Sequence, residues 1–104
     1  MKDLAKIFRA LSNPYRLAIY QMLRERAAAR GKGEVCVCHI AEPFRLALST
    51  VSHHLKELRE AGLIRCEKRG QWVYCVVDPE ATEKVEAFFR ESRPKVERRR
   101  ALAG

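Results

Sequence analysis

Pro43 and Gly62 bracket the stretch that leaves this chain the fewest options. The residue before a proline is pushed out of helical geometry, so the apolar pattern that resumes at Val35 is expected to form a short helix ending near Glu42. Phe44-Arg45-Leu46-Ala47 is then a turn. Leu48 or Ser49 opens a second helix with Val51, Leu55 and Leu58 on its inner face, and Gly62 suits the left-handed position that closes it. Two helices joined by so short a turn, the second polar on its outer side, set the frame for the rest.

That outer side presents Ser49, Thr50, Ser52, His53 and Lys56. Short donors and acceptors near a helix N-terminus, with a cation further on, suit a helix lying in a DNA major groove, where small polar side chains reach base edges and the positive end of the helix dipole faces phosphate. The other reading is a plain solvated face. The formal net charge of +8 agrees with a polyanionic partner, although charge alone is weak evidence for one.

Directly after Gly62 come two β-rich runs, Leu63 to Lys68 and Trp72 to Val77, separated by the glycine-containing turn Arg69-Gly70-Gln71. They predict a hairpin. Behind a reading helix such a hairpin is a wing, whose Lys68 and Arg69 can touch backbone phosphates without specifying sequence.

Helical patterns flank this unit. Leu4, Ile7, Phe8 and Leu11 follow i, i+3, i+4, i+7 and predict one amphipathic helix from about Asp3 to Leu11. Asn13 can cap the next helix and Pro14 suits its first position. That helix runs to about Ala29, and its apolar residues occupy more than one face, so it is expected to be the most enclosed. Arg30-Gly31-Lys32-Gly33 reads as a surface loop, with no phosphate-cradling motif. Asp78-Pro79 repeats the cap-plus-proline start, and Ala81, Val85, Phe88 and Phe89 form another single-sided stripe.

A chain of 104 residues is expected to be one domain with a modest core, which a second copy can supplement. Leu4, Ile7, Phe8, Leu11, Val85, Phe88 and Phe89 are therefore the candidate homodimer surface, with packing inside one chain as the alternative. The domain is placed at residues 1–92. Residues 93–104 read as a basic, core-poor tail able to add nonspecific DNA affinity.

No run is long and apolar enough to span a bilayer and the start does not read as a signal peptide, so a cytoplasmic protein with free thiols is expected. Of the four cysteines, Cys36 and Cys38 are two residues apart. In an ideal helix their side chains point about 200° away from each other, so one ion takes both only if the helix start is unwound. A helix N-terminus also lowers a thiol pKa, favouring the thiolate that binds metals. Thiolates select soft ions, and a complete site usually needs three or four donors; His39 is the nearest supplement. His53 and His54 are better explained by DNA contact or helix packing. Cys66 and Cys75, on facing strands, are expected as diagonal neighbours, serving either as a third ligand, as a second dithiol site or as small core residues.

Taken together, ALSNPYRLAIYQML, EVCVCHIAE, STVSHHLKELREAGLI and KRGQWVY resemble, in order and spacing, the ArsR/SmtB family of winged helix-turn-helix metalloregulatory repressors. The resemblance implies a mainly α fold with a small β-hairpin (ααααββα) and a homodimer joined through its first and last helices. It also implies an inverted-repeat DNA operator, released when an inducer binds. In the arsenic and cadmium/lead branches a CVC pair at the position of Cys36 and Cys38 supplies inducer ligands. Trivalent arsenic or antimony is the leading inducer, with cadmium, lead or zinc as alternatives and no organic cofactor.

The chain also departs from the family pattern. The third cysteine common in the arsenic branch is Ala41 here, no cysteine precedes Cys36, and residues 78–92 hold no histidine for a zinc-type site. Arg45 stands where the turn usually has Gly, and Ala47 where a Ser usually caps the reading helix, so Ser49 is expected to cap instead. A thiol-redox repressor in which Cys36 and Cys38, or Cys66 and Cys75, oxidise without metal is the alternative within regulation, and a metal carrier or non-DNA interaction module the alternative outside it. Neither paired carboxylates in a pocket-like context nor a nucleophile-base arrangement points to an enzyme.

Overall fold

The computed structural model describes residues 2–30 and 34–91. The expected glycine loop at 31–33 and the basic tail at 93–104 lie outside the described residues. The chain forms α1 (Lys2–Leu11), α2 (Pro14–Arg30), β1 (Val35–Cys36), α3 (Val37–Phe44), α4 (Leu48–Glu60), β2 (Ile64–Arg69), β3 (Trp72–Val77) and α5 (Pro79–Glu91). This is a winged helix-turn-helix. No described helix is long and apolar enough to cross a membrane.

Local chemistry accounts for most of these boundaries. Asn13 Oδ1 accepts the backbone N–H groups of Tyr15 at 2.9 Å and Arg16 at 3.1 Å, satisfying two of the donors left open at the start of α2. Asp78 Oδ1 does the same for Glu80 at 3.0 Å. At the end of α4, Leu63 N–H donates to Leu58 O (3.0 Å) and Gly62 N–H to Arg59 O (2.9 Å), with Gly62 at φ 79°. That pair of bonds is the Schellman arrangement, and the positive φ is why glycine stands there.

Ile7, Ile19, Leu23, Ile40, Val51, Leu58, Leu63, Ile64 and Cys75 are fully buried, so the core draws on α1 to α4 and the hairpin. Truncating one of the large aliphatics to Ala costs about 2–5 kcal/mol. Tyr20 and Thr82 hydroxyls, 2.7 Å apart, tie α2 to α5. Enclosure of α2 is less complete than its composition suggests: Ile19, Tyr20 and Leu23 are buried, but Tyr15 and Leu17 are exposed among the described residues.

Three expectations about the middle of the chain are corrected. The segment from Val35 does not begin as helix: Val35 and Cys36 form a two-residue strand that pairs antiparallel with β3, adding a third strand in the order β1-β3-β2. α3 also runs through Pro43 to Phe44. In the last turn a proline removes one hydrogen bond only, and its fixed φ is already helical. The turn of the wing has two residues, Gly70 and Gln71, between paired Arg69 and Trp72, so Cys66 and Cys75 are direct register partners and not diagonal ones.

Candidate thiol site and nucleic-acid interface

α3 and α4 are joined through Arg45, which sits at φ 54°, and Ala47, which occupies the N-cap of α4 with no side-chain hydrogen bond. Both residues fill positions that other side chains suit better: a left-handed residue favours Gly, and an N-cap favours Ser, Thr, Asp or Asn. The expected capping by Ser49 does not occur, because Ser49 already lies inside the helix at its second position. Its hydroxyl is left on the outer face, where Ser49, Thr50, Ser52, His53 and Lys56 are all exposed.

His54 parts company with His53. It is buried, stacks on Tyr15 with ring centroids 5.9 Å apart, and its Nδ1 has no hydrogen-bond partner. Burial first, then the charges of Arg16 and His53, hold its pKa below the ordinary value and keep the ring neutral. Packing, not DNA contact, explains His54.

In the wing, Lys68 is exposed. Arg69 is already engaged: its guanidinium pairs with Glu34 and Glu67 and lies over the Tyr74 ring, 5.0 Å from its centroid. Glu34 directly precedes β1, so this ion pair links the wing tip to the segment that carries the first thiol.

Cys36 is the N-cap of α3 with extended backbone (φ −67°, ψ 140°), and Cys38 is in the first helical turn. This junction replaces the opposed directions of an ideal helix with a close pair, Sγ to Sγ 2.8 Å. Cys36 is buried and Cys38 half-buried. The expected lowering by the helix N-terminus does not prevail at Cys38. Its pKa is raised, first by the hydrogen bond with Cys36, then by desolvation and by the repulsion of a second thiolate.

The pair borders two clefts. One, of about 340 Å³, is also lined by Leu48 and Ser52 of α4, Arg59, Cys66 and Trp72. The other, of about 350 Å³, holds His39 with Arg26, Glu34 and Tyr74. Among the described residues no three His, Cys, Asp or Glu side chains converge as a ready metal site. A sulfur–metal bond of ~2.3 Å at a tetrahedral angle sets two ligand sulfurs roughly 3.7 Å apart. The Cys36–Cys38 pair fits a two-thiolate grip once it opens by roughly 1 Å.

Cys66 and Cys75 make a second pair, Sγ to Sγ 2.9 Å. Cys75, on the central strand, is fully buried. The hydrogen bond from Cys75 lowers the Cys66 thiol to about 7 against opposing burial, with help from the adjacent Arg59 guanidinium, while the same contact and burial push Cys75 up. Sequence reasoning missed Arg59, Trp72 and Glu34 as neighbours of the thiols. The packing of α4 on β2 brings Arg59 to Cys66, and the pairing of β1 with β3, invisible in a two-residue strand, brings Glu34 and the first thiol pair beside the hairpin.

On the dimer candidates, Ile7 is buried in the chain's own core, while Phe8, Phe88 and Phe89 form an aromatic cluster with centroids 5.2–6.1 Å apart. Phe8 is 37 % and Phe89 60 % exposed, so the cluster is only half covered.

A helix-turn-helix followed by a wing, with a thiol pair at the strand-to-helix junction that opens α3, is the architecture of a DNA-binding transcriptional regulator and not of an enzyme. The family model for a helix-turn-helix domain matches residues 11–67. The chain is 36% identical over 92 residues to the cadmium resistance transcriptional regulatory protein CadC homolog of Staphylococcus aureus, covering 88% of this chain and 71% of that one. It is 40% identical over 67 residues to the arsenical resistance operon repressor of Bacillus subtilis, covering 64% of this chain and 58% of the repressor. Among solved structures, the ArsR family transcriptional regulator RHA00566 superimposes with TM-score 0.75 at 32% identity, covering 88% of each chain. This chain belongs to the ArsR family of helix-turn-helix transcriptional regulators.

Proposed function

We propose that the chain acts as a homodimeric repressor that leaves an inverted-repeat operator when a thiophilic ion, trivalent arsenic first among them, is gripped by Cys36 and Cys38. The observation that carries this reading is the 2.8 Å approach of those two sulfurs at the start of α3, the helix that packs on α4. Cys66 lines the same cleft but is turned to Cys75, so the protein supplies two thiolates and leaves a third position open to an exogenous donor. His39 stands on the other side of the pair and is not assigned a ligand role.

Ser49, Thr50, Ser52 and His53 read base edges and Lys56 and Lys68 contact phosphates. Arg69 serves a different purpose. Opening the thiol pair strains the Cys36 backbone, and the strain has two routes out: through α3 into α4, and through Glu34 to Arg69 in the wing. Phe8, Phe88 and Phe89 join Leu4, Leu11 and Val85 in holding two copies together, so a shift in one reading helix changes its spacing to the other. A coupling of about 1–3 kcal/mol, or roughly 5–150-fold in operator affinity, is typical of such a device.

The test uses a duplex selected by the purified protein from a random pool, with binding followed by fluorescence anisotropy. Arsenite should weaken binding by the wild type and leave a Cys36→Ser, Cys38→Ser double variant bound. Undiminished release from the double variant would remove these thiols from the mechanism. Antimonite, cadmium, lead and zinc titrated in parallel rank the inducers.

A further inference from the structure

We infer that Cys66 and Cys75 form an oxidisable dithiol, a modification site in the wing that a hydroperoxide converts to a cross-strand disulfide. The geometry begins with the turn. A two-residue hairpin loop closes on a hydrogen-bonded pair, here Arg69 and Trp72, and the two kinds of pair alternate along an antiparallel ladder. Lys68–Val73 is then non-hydrogen-bonded, Glu67–Tyr74 hydrogen-bonded, and Cys66–Cys75 non-hydrogen-bonded again.

In that kind of pair the Cα atoms are about 4.5 Å apart, within the roughly 4.4–6.8 Å that a disulfide spans. The sulfurs are already 2.9 Å apart, so bond formation needs side-chain rotation and no slip of the strands. Access is one-sided in a useful way. Cys66 opens onto the 340 Å³ cleft beside Arg59 and Ser52, whereas Cys75 is sealed in the core. Cys66 is the sulfur that meets the oxidant and Cys75 the one that resolves it.

The chemistry balances as follows. The Cys66 thiolate attacks one oxygen of the hydroperoxide; the O–O bond breaks, Cys66 becomes a sulfenic acid, and the departing alkoxide or hydroxide takes a proton to leave as alcohol or water. Cys75 then attacks the Cys66 sulfur, the S–O bond breaks, and the hydroxide leaves as water with the Cys75 proton. Two thiols lose two electrons and two protons, and the hydroperoxide is reduced. With the resolving sulfur in contact, disulfide closure outruns further oxidation of Cys66.

The sulfurs are not those of the Cys36–Cys38 grip, although Cys66 borders the same cleft, and the test separates the two pairs by removing the first. In the Cys36→Ser, Cys38→Ser variant only two of the four cysteines remain. Hydrogen peroxide should take the free-thiol count from two to none, and tryptic mapping should recover the Cys66 peptide linked to the Cys75 peptide within one chain. Dithiothreitol should restore both thiols. In a further Cys75→Ala variant, which keeps a small apolar group in the core, peroxide should leave a dimedone-reactive sulfenic acid on Cys66. Two thiols persisting under peroxide, a sulfinic acid on Cys66 with no link, or a link between two chains would each overturn the assignment.

Discussion

The two thiol pairs have nearly the same sulfur separation, 2.8 Å for Cys36–Cys38 and 2.9 Å for Cys66–Cys75, yet they sit on different kinds of backbone. The first pair spans a strand-to-helix junction, where a small backbone change at Cys36 opens or closes the sulfurs. The second is fixed across two hydrogen-bonded strands, one of them central in the sheet. An ion needs sulfurs that can separate; a disulfide needs sulfurs that are held. On the two proposals, backbone freedom, more than distance, sorts one pair toward ion binding and the other toward oxidation.

Stability should show the contrast most strongly. Cys75→Ser places a hydroxyl in a fully buried site and should cost about 1–3 kcal/mol. Cys38→Ser, at a half-buried site, should stay within about 0.5 kcal/mol. Urea unfolding with equal m values measures both, and equal losses would erase the distinction between a core sulfur and a junction sulfur.

Reactivity separates the pairs next. Iodoacetamide labelling of Cys66 should reach half its limiting rate at about pH 7 and level off above that, as its thiol becomes fully ionised. Labelling of Cys38 should keep climbing past the ordinary thiol range, because its pKa is raised. Peptide-resolved rates as a function of pH read this directly, and one shared profile would contradict the assigned electrostatics.

The turn between the two helices offers a smaller effect. Arg45→Gly relieves a left-handed arginine and should stabilise by about 0.5–1 kcal/mol; Ala47→Ser supplies the missing cap and should add about 1 kcal/mol. If the junction before α4 transmits the thiol signal, tightening it should raise the melting temperature and also blunt the arsenite response. Neither change should alter peroxide closure of the wing pair. Smallest of all, Lys56→Ala should lower the slope of log affinity against log salt by about one phosphate contact. An unchanged slope would take Lys56 off the backbone.

Much of this architecture was legible because its punctuation is chemical. Asn13-Pro14, Asp78-Pro79 and Gly62 each name a boundary by what their side chains or lack of one can do, and the inner stripe of α4 is buried as spaced. β1 was not legible, since two residues carry no periodicity and their strand character comes from pairing with β3. The approach of Cys36 to Cys38 followed from that hidden strand, an ideal helix having set them on opposite sides. Cys66 and Cys75 went astray by one residue of turn length, enough to change a diagonal into a direct pair. Arg69 reads in the sequence as a phosphate contact, and its ion pair with Glu34 was not legible because that partner lies far back in the chain.

The central claim is that the junction pair, and not the wing pair, grips the inducing ion. Titrating the reduced protein with arsenite and mapping protection from alkylation tests it most directly. Two thiols protected per ion, Cys36 and Cys38, with Cys66 and Cys75 labelled as in the free protein and the operator released at the same ratio, is the predicted result. Protection of Cys66 or Cys75, or release from DNA while Cys36 and Cys38 stay fully reactive, would contradict it.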